Sequence, residues 1–159
     1  MKIAYSKIFL VILFCAILMA ACFFENDAGQ AKEALIRYFD SLEADEFEEA
    51  ADLYGGSYEL LYSYNPDLDP DDREELLARA CHQNGFQCLQ VQIATFNELT
   101  EKGEYIFTVQ FLDAEGELFV LGPCCGEEPE SPPEFQFEYR VVKNGYGDYQ
   151  VLDLPVYVP

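Results

Sequence analysis

The side chains best able to do chemistry in this 159-residue chain are Cys81, His82, Cys88, Cys124 and Cys125. Thiolate and imidazole are zinc ligands, but Cys-His-x5-Cys followed far downstream by Cys-Cys is not a spacing that zinc sites use. No metal ligand is assigned. In an exported chain, an even number of cysteines besides Cys15 in the leader and Cys22 just after it implies disulfides, and four cysteines allow three pairings. A strand meander places Cys88 at the end of the sheet where a strand running Glu117 to Leu121 begins. Cys124 lies past that strand's far end, roughly 15 Å or more away at ~3.3 Å per residue. Disulfide Cα atoms must come within about 7 Å. This favours Cys81–Cys88, closing a helix-to-strand turn, with Cys124–Cys125 as a vicinal pair. Crossed bridges from Cys81 and Cys88 to Cys124 and Cys125 stay open, and require Gly122-Pro123 to fold back.

The remaining polar candidates have simpler readings. His82 is the only histidine and falls at the expected end of a helix, as a cap or surface residue without a matched partner. Asp67-x-Asp69-x-Asp71 imitates the opening of a calcium loop. The pattern then fails: the sixth position is Asp72 rather than Gly, and the twelfth is Ala78 rather than Glu. Helix capping accounts for Asp69 to Asp72. No nucleophile elbow, phosphate loop or metalloprotease motif occurs. No catalytic residue is assigned and no cofactor is expected. A lone carboxylate, such as Asp40 or Asp153, is what a pocket would have left to work with.

Ahead of these residues stands an apolar leader. Lys2 and Lys7 precede an uncharged run from Ile8 to Ala21, the pattern of a secretory signal. The run is shorter than the ~20 residues that a spanning helix needs. Leu18-Met19-Ala20-Ala21-Cys22 resembles the lipobox of bacterial lipoproteins, with Met19 where Leu is usual. The resemblance implies that the Cys22 thiol receives diacylglycerol, that residues 1–21 are removed, and that Cys22 becomes the acylated N-terminus. The location implied is the cell membrane, on its extracytoplasmic face. The expected organisation is a signal peptide (1–21), a lipidated cysteine with a short tether (22–26) and a single domain (27–159). Phe23 to Asp27 reach only ~17 Å fully extended, which keeps the domain near the membrane.

The charge narrows the partners. The chain carries −21, and the part after residue 21 carries −23, because Lys2 and Lys7 leave with the leader. Such a surface repels phosphate backbones, so nucleic acid is excluded as a partner. With 50% hydrophobic and 15% aromatic residues, the chain has the material for a core.

The elements must hold whatever site exists. Asp27 and Gln30 have capping-box spacing. Ala31, Ala34, Leu35, Tyr38, Phe39 and Leu42 then form one helical stripe. Phe47, Ala50, Ala51 and Tyr54 form a second, stopped by Gly55-Gly56. Tyr58 to Tyr64 is aromatic and ambiguous. Asp69 as N-cap and Pro70 at N1 predict a helix carrying Leu76, Leu77 and Ala80 inward and ending near Gly85. Alternation then changes to period two. Leu89, Val91, Ile93 and Thr95 form one strand face, and Tyr105, Phe107, Val109 and Phe111 another. Asp113 to Gly116 turns into a strand ending at Leu121, and a Pro- and acid-rich loop runs from Gly122 to Pro133. Phe135, Phe137, Tyr139 and Val141 follow, then an Asn144-Gly145 hairpin and a strand from Tyr149 to Leu154.

Helices followed by antiparallel strands predict an α+β fold with helices on one face of the sheet. Ala31-x-x-Ala34-Leu35-x-x-Tyr38-Phe39-x-x-Leu42, with Asp45-x-Phe47-x-x-Ala50, resembles the opening of the nuclear transport factor 2-like superfamily, over roughly residues 27–154. The resemblance implies a cone: a long and a short helix in the concavity of a curved antiparallel sheet. Enzymes of that fold use a pocket acid or base, and no such pair matches here residue by residue. The likeness is nearest to its small secreted lipoproteins without assigned activity. It implies a non-catalytic binding or scaffolding module for a small apolar ligand or a protein partner. The alternative is a pocket enzyme of isomerase or dehydratase type. A concave face filled by aromatics favours the first, and an open cavity with a buried acid or base favours the second.

Overall fold

In the computed structural model, which describes residues 27–122 and 132–158, helices come first and strands second. Contacts divide the chain into Met1–Gln30, of which only 27–30 are described, and Ala31–Pro159. The core, the sheets and the clefts lie in the second unit.

The first helix, α1, covers 27–43, and Asp27 is itself helical rather than the residue before the helix. Its predicted stripe is the buried face: Ala31, Leu35, Tyr38 and Phe39 are fully buried and Leu42 nearly so. The helix stops in a left-handed turn. Asp45 has φ 61, Glu46 N–H donates to Ser41 O at 2.8 Å, and Ala44 N–H to Asp40 O at 2.9 Å. Glycine usually holds this position, and Asp is among the few residues that tolerate it.

Helix α2 (Phe47–Leu53) ends differently from expectation. Tyr54 turns extended and bridges to Val151. Neither Gly55 nor Gly56 is left-handed. Gly56 is needed for space: a Cβ there would collide with Leu152 O and the Tyr54 ring. The ambiguous aromatic stretch forms α3 (Glu59–Tyr64). Helix α4 (Arg73–His82) starts three residues later than predicted. Asp72 is the N-cap, accepting from Glu75 N–H at 3.2 Å, while Asp69 closes a small turn by accepting from Asp71 N–H at 3.0 Å. Leu76, Leu77 and Ala80 are fully buried as expected.

Four strands, β2 (Val91–Leu99), β3 (Glu104–Phe111), β4 (Phe137–Lys143) and β5 (Tyr149–Val151), make a curved antiparallel sheet in the order β2-β3-β4-β5. Two short strands, β1 (Phe86–Gln87) and β6 (Val156–Tyr157), pair separately, so the single closing strand expected from Tyr149 to Leu154 is divided between two sheets. The molecule is therefore α+β. β3 and β4 bury the expected faces, with Phe107, Val109, Phe111, Tyr139 and Val141 at most 2% exposed, except that Phe135 precedes β4 and is exposed. β2 does not. A register shift between Val91 and Ile93 moves the inward phase to Ala94 and leaves Ile93 49% exposed. One extra residue in a strand sends every following side chain to the opposite face. The strand predicted to end at Leu121 is reduced to two bridges, Leu112 with Leu118 and Leu121 with Glu134. At the last hairpin the left-handed residue is Gly147 (φ 97), not Gly145. Asn144 accepts Tyr146 N–H and Asp148 N–H with its side chain, and the loop between the paired Lys143 and Tyr149 holds the five residues 144–148 rather than the two of an Asn-Gly turn.

α1 fills the inner face of the sheet. The Phe39 ring meets Phe111 at 4.8 Å and Tyr139 at 4.9 Å, both edge-to-face. Aromatic edges on aromatic faces add to the ~1.5–3 kcal/mol of burying each such ring.

Candidate functional site

Cys81, in the last turn of α4, is bonded to Cys88, just past β1, with Cα atoms 5.5 Å apart. The tie fixes the end of α4 to the small β1–β6 sheet and takes both sulfurs out of any zinc set. Cys22, Cys124 and Cys125 lie outside the described residues.

His82 is not isolated. Its Nε2 lies 2.9 Å from Asp45 Oδ1, and its ring stands edge-on to Phe47 at 5.5 Å. The left-handed turn after α1 aims Asp45 at the end of α4, joining three helices at one exposed corner. The residues are 37 apart in sequence, and the signal for their meeting is a polar residue at the αL position of a helix end. Beside α1 and α2 opens a surface cleft of about 380 Å³ lined by Arg37, Asp40, Glu43, Glu46, Glu49 and Gln90. Arg37 pairs with Glu49. Asp40, one of the two carboxylates singled out in the sequence, lines this cleft.

The other, Asp153, is committed to Arg140. Its carboxylate accepts the Arg140 backbone N–H at 2.7 Å and the Nε–H at 3.1 Å. Close by lies a tyrosine cluster that sequence reasoning did not single out. Tyr38 stacks on Tyr54 at 5.9 Å, and Tyr54 meets Tyr58 edge-on at 5.0 Å. Tyr54 donates to Ser57 O at 3.1 Å. Among the described residues, the Tyr38 and Tyr58 hydroxyls are buried without a hydrogen-bond partner. Burial raises all four nearby phenols, and the negative charge of Asp153 adds to it at Tyr38, Tyr54 and Tyr139. Tyr58 is pushed up to about 12. These phenols are held neutral, so none is prepared to act as a base. A second cleft, of about 330 Å³, has Tyr58, Tyr62, Pro70 and Arg73 in its wall, with the Arg73 guanidinium 5.4 Å above the Tyr58 ring.

The three aspartates of the calcium-like run do unrelated jobs. Arg79 Nη1 donates to Asp67 at 2.7 Å, holding that carboxyl below its usual range, while Asp69 closes a turn and Asp71 lines the second cleft. Among the described residues, no three His, Cys, Asp or Glu side chains converge as a metal site would need, and no helix is long and apolar enough to cross a membrane. Comparison of the chain with protein families, curated proteins and solved structures finds no match.

Proposed function

We propose that the chain is an extracytoplasmic lipoprotein, held at the cell membrane by lipid on Cys22. Its nuclear transport factor 2-like domain serves as a non-catalytic binding or scaffolding module. The observation that carries the reading is the packing of α1: Phe39 meets Phe111 and Tyr139 on the face of the sheet that α1 covers, where an enzyme of the nuclear transport factor 2-like fold would keep its cavity. The Cys81–Cys88 bond supports an oxidising location. The strong acidity supports partners other than nucleic acid.

The rival reading, a pocket enzyme of isomerase or dehydratase type, draws on the unpartnered Tyr38 and Tyr58 hydroxyls and on Asp153 beside them. Raised phenols and a carboxylate tied to Arg140 are poorly suited to moving protons. In the organism that carries the chain, Cys22→Ser should reproduce the phenotype of a full deletion, because an unanchored module is lost from its place of work. His82→Ala and Tyr58→Phe should behave as the unaltered protein does. Loss of function in either of these two, with the protein still folded and anchored, would favour the enzyme.

A further inference from the structure

The cleft beside α1 and α2 carries charge where the fold gains nothing from it. Asp40 and Glu43 sit in the last turn of α1, where the partial charge of the helix end is negative and cations are the favoured neighbours. Glu46 precedes α2 and Glu49 lies in its first turn, so four carboxylates line one cleft. Arg37, the basic residue in its wall, is paired with Glu49. The carboxylates of Asp40, Glu43 and Glu46 have no hydrogen-bond or ion-pair partner among the described residues. Ser41 adds an observation of another kind. It is one of two polar residues buried among the described residues, 4% exposed, yet it lines this cleft. The other, Asn65, donates to Leu61 O and Asn84 Oδ1. The Ser41 hydroxyl has no hydrogen-bond partner among the described residues, and unlike those of Tyr38 and Tyr58 it is not sealed from solvent. A buried polar side chain without a partner calls for one, and here the partner must come through the cleft.

We propose that this cleft binds an aliphatic polyamine, with the Ser41 hydroxyl and the carboxylates of Asp40, Glu43 and Glu46 as acceptors. The acids do not converge as a single metal ion would need. A linear molecule with ammonium groups several bonds apart can instead meet carboxylates spread round a cleft one at a time. Each ammonium brings donors and no acceptor, so it complements a wall of carboxylates and takes the lone pair that Ser41 offers. The volume of about 380 Å³ falls in the ~300–1,000 Å³ of small-molecule sites. A chain carrying −21 also concentrates cations at its surface and speeds their arrival.

The lining residues all lie within Ala31–Pro159, so binding there requires neither the lipid nor a filled sheet face. The full chain in detergent is dialysed to equilibrium against labelled spermidine at about 0.15 M salt, where exposed charges are screened. One molecule per chain is expected, held more tightly than butylamine. Ser41→Ala, which leaves the charge of the chain unchanged, should weaken binding about tenfold, the loss of a hydrogen bond to a charged group. Asp40→Asn with Glu43→Gln should weaken it further. Glu115→Gln with Glu117→Gln, an equal loss of charge on an exposed turn, should change it little. Arg37→Gln removes the cleft's own cation and releases Glu49, so it should tighten binding, which no folding defect would do. Uptake of several molecules per chain, indifferent to Ser41→Ala and weakened alike by both double variants, would be an ion atmosphere and not a site. Displacement by an equal concentration of calcium would give the cleft to a metal, and tighter binding of tetralysine would give it to a basic protein. Each of these results overturns the assignment, as does an absence of binding.

Discussion

At the scale of single residues, the tyrosine cluster sets a pH dependence whose sign follows from burial. Tyr38, Tyr54, Tyr58 and Tyr139 are all raised above the ordinary phenol value near 10, Tyr58 to about 12. Folded phenols therefore stay protonated while unfolded ones ionise. Their contribution to stability is complete below about pH 10 and is lost as pH rises above it, in the case of Tyr58 through about 12. Denaturant melts at rising pH should show this fall, with tyrosinate absorbance growing as the protein unfolds. Tyr58→Phe should flatten the fall and leave stability at neutral pH nearly unchanged, because its hydroxyl has no partner to lose. A stability flat through pH 12 would contradict the burial of these phenols. Little of this was legible in the sequence. Tyrosines at stripe positions announce burial, but whether a hydroxyl finds a partner depends on what folds over it. His82 failed to disclose its partner for a related reason: Asp45 reaches it only because an aspartate adopts the left-handed turn that ends α1.

At the scale of elements, periodicity was the dependable signal and the ends were not. The α1 stripe was read residue for residue, because a helical period with one apolar face leaves few ways to bury it. The cap of α4 moved from Asp69 to Asp72 because a run of three aspartates and a proline offers several competing caps. The phase of β2 was lost at a bulge, which alternation alone does not mark. Two substitutions test the layer these elements build. Phe39→Ala, which empties the centre of the α1–sheet contact, should cost ~3–5 kcal/mol by denaturant unfolding. A cost under about 1 kcal/mol would mean that the inner face of the sheet is not filled by this ring. Replacing both Cys81 and Cys88 by Ser should cost about 2–3 kcal/mol, the chain-entropy value for so short a loop. An unchanged melt would mean that the two sulfurs are not joined in the exported protein.

At the scale of the whole molecule, the order of helices and strands gave the α+β class, while the second small sheet was hidden. Its two strands are two residues each, at opposite ends of the strand region, and no periodicity can be read from so short a run. The proposed site of action is a property of the N-terminal sequence rather than of this packing. It rests on Ala21 and Cys22 following an uncharged apolar run, and the domain's acidity and disulfide agree with it without requiring it. More than one acyl chain makes anchoring stable where a single chain is marginal. The most direct measurement is mass spectrometry of the N-terminal peptide from the membrane fraction of the cells that make the protein. The account predicts a peptide beginning at Cys22, carrying diacylglycerol and lacking residues 1–21. An unmodified N-terminus recovered from the soluble fraction would contradict it.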